Sequence, residues 1–389
     1  MVAWRVTEAG ITDLLPPGSL DEAKEISVDF IVAGSSTLGL GHVMRSAALC
    51  EAAIQRAHPV RVFFDGDDNA RSVWQVASPR TPTKNIRPWS SYEEPPSAHV
   101  AFLDFPSEKD EWLQQIKRRG ALSVVLDDPR SIPLANCTIN PALHHGLDED
   151  SLQRSASEQS PAPAEPAAPA VRQSNLLEGP AYSILAEAHR ETTAPPWPLR
   201  NELLLSIGGA DPHHATPRLA AILDRLEQET SALSVFREKH AVLGAAYADA
   251  EGSTQETLRR GGWQVHRSLP PKTMARRMQN ARLAIMGFGT SLTELAWHGT
   301  PHLSVTHHRF DDVHAERLER HGVGRHLGYA PDLDAEHVET ILRASLSDGP
   351  WQQSSANLAH TMLAGGRGVE RILDHLLCMV HDAESRAAV

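Results

Sequence analysis

The chain has little cysteine: three residues in 389, Cys50, Cys137 and Cys378, far apart and odd in number. That spacing argues against a disulfide scaffold and against a cysteine-built zinc site. Aromatic residues make up 5%, too few for a platform on which nucleic-acid bases stack. Basic residues are outnumbered, 37 Lys and Arg against 49 Asp and Glu, for a net charge of -12. A broad basic footprint for nucleic acid is therefore not expected. No apolar run approaches the roughly 20 residues of a membrane span. The opening Met1-Val2-Ala3-Trp4-Arg5-Val6-Thr7-Glu8 lacks the basic-then-apolar layout of a secretion signal, so a cytoplasmic protein is expected. What remains, 41% hydrophobic and 22% charged residues, suits a globular protein long enough for two domains.

Short β-branched runs alternate with helical patterns through the first half. Strands are expected at Val28–Ala33, Pro59–Phe64, Val100–Asp104, Leu122–Asp127 and Cys137–Ile139, and helices at Val43–Ala57, Asn69–Ala77 and Ser107–Arg118. Such alternation predicts a parallel sheet covered on both faces. Residues 1–27 form an extension, and 28–193 a first domain. Within it, 151–174 is rich in Ser, Ala and Pro without apolar period and reads as a flexible insertion. Thr193-Ala194-Pro195-Pro196-Trp197-Pro198 reads as an extended connector. A second series, 199–380, starts with a strand from Glu202 through Ile207. Asp211-Pro212 fits a helix cap and first-turn proline, with the helix running to about Gln228. Strands follow at Ala241–Leu243, Gly262–His266, Leu283–Met286 and His302–Thr306, and helices at Pro271–Ala281 and Ser291–Trp297. Two doubly wound domains then face each other, with ligands at the carboxyl ends of the strands.

Three glycine-bearing turns follow predicted strands. Gly39-Leu40-Gly41-His42-Val43-Met44-Arg45 leads into a helix, and a helix N-terminus offers free N–H groups and partial positive charge. That charge disfavours imidazolium, so a histidine at this place is suited to accept a proton. The bland reading of His42 is a cap or half-buried polar residue. Gly287-Phe288-Gly289-Thr290-Ser291-Leu292-Thr293-Glu294 repeats the geometry, with hydroxyl residues that can cap the helix. Its backbone N–H groups suit a diphosphate, and Glu294 on the first turn suits the two hydroxyls of a ribose. The bland reading is a well-capped helix after a buried strand. Gly208-Gly209-Ala210-Asp211 is a second phosphate-facing turn in the same domain, or simply a tight connection.

Asp127 and Asp128 end one strand and Asp104 another, at the ligand-facing edge. One of them is expected to orient His42 or bind sugar hydroxyls, and Arg45 to pair with Asp127 or Asp128; polar capping of strand ends is the alternative. Thr306-His307-His308-Arg309-Phe310-Asp311-Asp312-Val313-His314 invites a metal reading. A loop of hydrogen-bonding residues facing a polar ligand, Asp311 among them, explains the same composition. His144-His145 and His213-His214 read as loop residues.

In combination these residues carry a resemblance. Gly-x-Gly-His-x-x-Arg (39–45), Asp-Asp (127–128), Ile139-Asn140, Tyr182-Ser183-Ile184-Leu185, Gly-Gly-x-Asp (208–211) and Gly-Thr-Ser-Leu-Thr-Glu-Leu (289–295) resemble the UDP-sugar hydrolases of pseudaminic acid biosynthesis. They also resemble related spore-coat polysaccharide glycosyltransferase-like proteins, and the second domain is similar to the donor domain of MurG-type glycosyltransferases. The resemblance runs over about residues 28–328. It implies a GT-B fold, two Rossmann-like domains facing across a cleft, with UDP held by the second and no metal or other cofactor required. It implies His42 as the base that activates water against the anomeric carbon, with Arg45 and Asp128 beside it. Substrate contacts are expected from Gly41, Asp104, Asp127, Asn140, Tyr182, Gly208, Gly209, Gly287, Phe288, Gly289, Thr290, Ser291, Thr293, Glu294 and Asp311.

The family pattern is broken at three places. Asp104-Phe105-Pro106 stands for Asp-x-Tyr, Ala186 for an arginine after the Tyr182 segment, and Thr293 for an asparagine before Glu294. All three fall where the sugar is expected. Hydrolysis of a UDP-activated amino- or deoxysugar is the leading expectation, transfer to an acceptor the alternative, and a non-catalytic nucleotide-sugar-binding protein the third. NAD chemistry is disfavoured, because Gly34-Ser35-Ser36-Thr37-Leu38-Gly39 is not Gly-x-Gly-x-x-Gly.

Overall fold

The computed structural model describes residues 25–35, 39–92, 98–145, 176–191, 193–249 and 252–387. The expected insertion at 151–174 and nearly all of the 1–27 extension lie outside these residues.

Two parallel sheets carry the fold. The first has seven strands: β1 (Val28–Gly34), β2 (Val60–Gly66), β3 (Ile86–Pro88), β4 (Val100–Asp104), β5 (Leu122–Leu126), β6 (Cys137–Asn140) and β7 (Leu176–Glu178), in the order β3-β2-β1-β4-β5-β6-β7. The second has six: β8 (Glu202–Ser206), β9 (Glu238–Leu243), β10 (Gln264–Arg267), β11 (Ala281–Gly287), β12 (His302–Thr306) and β13 (Arg325–Tyr329), ordered β10-β9-β8-β11-β12-β13. The central strands carry apolar runs because both faces are covered by helices. Every residue of β1, of β4 and of β8 is buried. Asp29, the one charged residue of β1 and itself buried, is matched by Arg61 through two hydrogen bonds of 2.8 and 2.7 Å.

In each sheet the chain moves outward from its first strand and then returns to that strand's other side. The reversal falls between β1 and β4, and again between β8 and β11. The carboxyl ends at such a reversal leave a crevice between diverging connections. The connection after β1 passes into the helix Gly41–Gln55, and that after β11 into the helix Thr290–Trp297. Both strand–helix connections therefore open at the same kind of place in the two domains.

The structure departs from the sequence expectations at several points. The helix after β8 spans Ala215–Glu229 and has His214 in left-handed conformation at its cap. It does not begin at Pro212. Asp211 still satisfies it from a distance, its carboxylate accepting the N–H groups of Ala215 and Thr216 at 2.9 and 2.8 Å. The helix Thr290–Trp297 has Gly289 at its cap and no side-chain cap bond, so the hydroxyl residues do not occupy its first N–H groups. The last helix, Gly368–Ala387, leaves the second domain. Its Val369, Ile372, Leu373, Leu376 and Val380 join the core of the first sheet, against Phe30, Val43 and Trp74 among others. Residues 368–380, expected with the second domain, thus pack on the first.

Candidate active site

The carboxyl ends of the two sheets face one cleft of about 1010 Å³, at the upper end of the range for small-molecule sites. Its two walls come close at the helix starts: a Cβ added to Gly41 would lie 3.8 Å from Thr290 Oγ1.

On the first-domain wall stands His42, in the first turn of the helix Gly41–Gln55, which has no side-chain cap. Its Nδ1 is 2.6 Å from Oδ1 of Asp104, the last residue of β4. Arg45, one turn on, donates to Asp104 from Nη2 at 2.6 Å and from Nε at 2.9 Å, and Ser46 Oγ donates at 2.7 Å. Asp104 is 0% exposed. Burial alone would push its carboxyl up, but Arg45 and then His42 outweigh burial and hold it well below the usual carboxylate range. An ionised carboxylate only accepts, so His42 Nδ1 carries the hydrogen toward it. Arg45 Nη2 also lies 3.0 Å from that nitrogen, but a protonated Nδ1 has no lone pair to accept from it, and Nη2 donates to Asp104 Oδ1. In the neutral ring, Nε2 is then the basic nitrogen, and His42 lines the cleft.

Arg45 reaches a second carboxylate, donating to Asp127 Oδ2 at 2.8 Å. Burial opposes its charge, and Asp104 and Asp127 restore it. Asp127, just past β5, is in left-handed conformation with φ 55, a strained setting for a non-glycine residue. Burial would raise its carboxyl, but Arg45 and His145 pull it well below the ordinary range. Asp128 was expected beside His42 and Arg45. The structure turns it away, into a buried pair with Lys109 at 3.1 Å and a bond from Arg130 Nε at 2.9 Å. The left-handed turn at Asp127, just past the strand, and the pull of Lys109 on Asp128 leave one aspartate facing the cleft and its neighbour turned away.

On the second-domain wall, Gly208 has φ +84, a conformation that favours glycine, and the Gly208–Gly209 turn packs under the end of β11. A Cβ at Gly287 would come 3.1 Å from the Ile207 carbonyl carbon, so a side chain there displaces that turn. Gly287, Phe288, Gly289, Thr290, Ser291, Thr293 and Glu294 all line the cleft, with Gly41, Arg45, Asp127, Gly208, Gly209 and Asp311. Asp104, Asn140 and Tyr182, expected to touch substrate, do not line it. Asp104 lies behind His42 and Arg45. Asn140 is 1% exposed and reaches Glu178. Tyr182 packs against the first-domain core.

The His307–His314 stretch does not gather around one point. His307 Nε2 meets the Ile207 carbonyl at 3.1 Å, Asp312 accepts the Thr306 hydroxyl, and His314 stacks on His144 with ring centroids 4.1 Å apart. Rather than a loop, Arg309–Arg320 is a helix. Asp311, in its first turn, is pushed up to about 6 by burial, then by Asp127 and Asp312 against the opposing influence of His308.

Several cleft residues were not anticipated. His144 and His145, read as loop residues, line it with His189, His213 and Phe310. Burial, then His145 and His314, lower His144 to about 3, so its ring is neutral and stacks against His314 without repulsion. His145 lies 3.7 Å from Asp127 and 3.4 Å from Glu178. No pattern along the chain marks these residues, because their partners belong to other strands or to the other domain.

Comparison with solved structures agrees with this architecture. The chain is similar to a UDP-N-acetylglucosamine 2-epimerase (TM-score 0.56, 10% identity, over 90% or more of both chains: 91% of this one and 96% of the other). It is similar to MurG of Acinetobacter baumannii (TM-score 0.53, 12% identity, 90% of this chain and 99% of the other). It is also similar to the spinosyn forosaminyltransferase SpnP (TM-score 0.54, 15% identity, 92% of this chain and 100% of the other). At these identities the likeness establishes the fold, which is GT-B. No protein-family model and no curated protein sequence matches the chain. No helix among the described residues is long and apolar enough to cross a membrane.

Proposed function

We propose that the protein is a GT-B enzyme that cleaves the anomeric C–O bond of a UDP-sugar and passes the sugar to an acceptor hydroxyl. The observation that carries this is the Asp104–His42 pair at the reversal point of one sheet, facing across the cleft the uncapped glycine turn at the reversal point of the other. In this reading His42 Nε2 takes the acceptor proton, and the acceptor oxygen bonds to the anomeric carbon. The electron pair of the breaking bond leaves with the UDP diphosphate. The N–H groups at Thr290 and Ser291, with the Gly208–Gly209 turn, stabilise that charge. Glu294 takes the ribose hydroxyls, Arg45 and Asp127 hold the base and the sugar side of the cleft, and Asp128 plays no part. Base and leaving group on opposite walls favour inversion at the anomeric carbon. The likeness to SpnP and MurG supports transfer.

The second reading, favoured by Gly39-x-Gly41-His42-x-x-Arg45, gives the same base water as its acceptor. The protein is then a hydrolase of a UDP-activated amino- or deoxysugar. A panel of UDP-sugars is incubated with the enzyme, with and without hydroxylated acceptors, and followed by NMR at the anomeric proton. Transfer predicts a glycoside and UDP release that needs the acceptor. Free sugar appearing at full rate without acceptor makes the enzyme a hydrolase. His42→Ala is expected to lose turnover of either kind while keeping UDP affinity. Absence of turnover in wild type and variant alike, with UDP still bound, leaves a binding protein.

A further inference from the structure

Glu294 has a partner from a distant segment of the chain. Its Oε1 lies 3.4 Å from Nε2 of His189, a residue 2% exposed. The other ring nitrogen of His189, Nδ1, is 3.1 Å from Nε2 of His298, which caps the C-terminal end of the helix carrying Glu294. The His189 carbonyl also accepts Trp297 Nε1–H at 2.9 Å. Three contacts therefore fix one histidine to one helix. His189 belongs to the short helix Glu187–Arg190, which is anchored toward the first domain. Gln55 donates to Glu187 at 3.1 Å, and Arg190 pairs with Glu370 on the returning C-terminal helix.

Hydrogen placement follows from what each atom is able to do. A carboxylate accepts and does not donate, so His189 Nε2 carries a hydrogen toward Glu294. Burial, then His189, Arg200 and His360, lower His298 to about 3, which keeps it neutral. With the His189 hydrogen on Nε2, its Nδ1 is the acceptor, so His298 Nε2 gives its hydrogen to His189 Nδ1. One acceptor site of Glu294 Oε1 is thus directed by His189. The remaining sites on its two oxygens are left for a ligand in the cleft, which Glu294 lines.

We propose that His189 is a positioning residue for ribose recognition: it orients the Glu294 carboxylate to meet two adjacent hydroxyls, and so makes the site select a ribonucleotide over a deoxyribonucleotide. This rests on the reading of the cleft as a UDP-sugar site.

The test titrates UDP and 2′-deoxy-UDP into the full-length wild type, His189→Asn and His189→Gln by calorimetry. Asparagine places its amide near Nδ1 and keeps the contact with His298, but does not reach Glu294. Glutamine places an N–H near Nε2 and does. Wild type is expected to prefer UDP by about tenfold, the worth of one hydrogen bond to a charged group. In His189→Asn the ratio falls close to one, chiefly through weaker UDP binding, and His189→Gln recovers part of it. A ratio unchanged in His189→Asn overturns the proposal. Equal weakening of both nucleotides also overturns it, since that is what lost packing alone does. If wild type fails to bind UDP, the reading of the cleft falls, and the proposal with it.

Discussion

Asp104→Asn changes charge at almost constant volume, at the centre of the proposed catalytic group. The aspartate is 0% exposed and accepts from His42 Nδ1, twice from Arg45 and once from Ser46, all between 2.6 and 2.9 Å. An amide puts a donor where one of two accepting oxygens was. If the NH2 group faces His42, it forces the ring hydrogen onto Nε2, and the nitrogen meant to accept a proton is already occupied. If it takes the other position, it meets Arg45 Nε–H and the Ser46 hydroxyl, and N–H faces N–H in a buried space. The first outcome removes general-base catalysis, worth about 10²–10⁴ in rate. The second leaves Arg45 with Asp127 as its remaining carboxylate, and removing one partner of a buried pair costs about 3–5 kcal/mol. The assay is kcat for UDP-sugar turnover beside UDP affinity and calorimetric melting, run on Asp104→Asn, His42→Ala and the double variant. The double variant is expected to be no slower than His42→Ala, because both changes remove one function. The pH dependence has a definite sign. The Asp104 carboxyl is held below its usual range, so its charge stabilises the fold above about pH 4 and that contribution is lost as pH falls further. The gap in melting temperature between wild type and Asp104→Asn is therefore full at neutral pH and narrows in acid. Multiplying effects in the double variant, or UDP affinity falling in step with kcat, would refute the pairing.

Two further outcomes are expected. Asp311 titrates at about 6, and its anionic form repels a diphosphate, so UDP-sugar binding should tighten several-fold as pH falls through that value. Asp311→Asn should bind with a flatter profile; parallel profiles for the two proteins sink the idea. Leu376 is 0% exposed in the first-domain core, so Leu376→Ala should cost about 2–5 kcal/mol. Calorimetry showing less than about 0.5 kcal/mol would mean the returning helix does not hold that core.

Which strands were legible follows from their place in the sheets. Val28–Gly34, Val100–Asp104, Glu202–Ser206 and Ala281–Gly287 are interior strands covered on both faces, so each carries an apolar run of three or more residues, such as Phe30–Ala33 and Leu203–Leu205. The strands not anticipated, Ile86–Pro88, Leu176–Glu178 and Arg325–Tyr329, are all at sheet edges. Edge strands are short and polar because one side has no neighbour to satisfy, and that removes the signal by which strands are found. The C-terminal helix shows the other limit. Its apolar stripe predicts burial, but nothing in the stripe says which of two cores it enters.

The same division runs through the cleft. Residues that end strands or open helices, such as His42, Gly208, Gly287 and Glu294, were expected at the cleft and line it, because doubly wound sheets place ligands at those ends. The choice between Asp127 and Asp128 is not legible: it turns on the left-handed φ of 55 at Asp127 and on a lysine, Lys109, 19 residues earlier that claims Asp128. His144, His189 and His314 are still harder to find, since each acts through a contact between segments that the chain keeps far apart. These are the residues that join the two walls. His144 of the first domain stacks on His314 of the second at 4.1 Å, and His189 ties the short helix Glu187–Arg190 to Glu294 at 3.4 Å. In the proposed reaction the base stands on one wall and the leaving group on the other, so rate depends on the walls keeping their spacing. In that proposal the chemistry belongs to groups that local sequence announces, and its geometry to groups that local sequence leaves silent. Substitutions at the second set should lower turnover without touching a reacting atom.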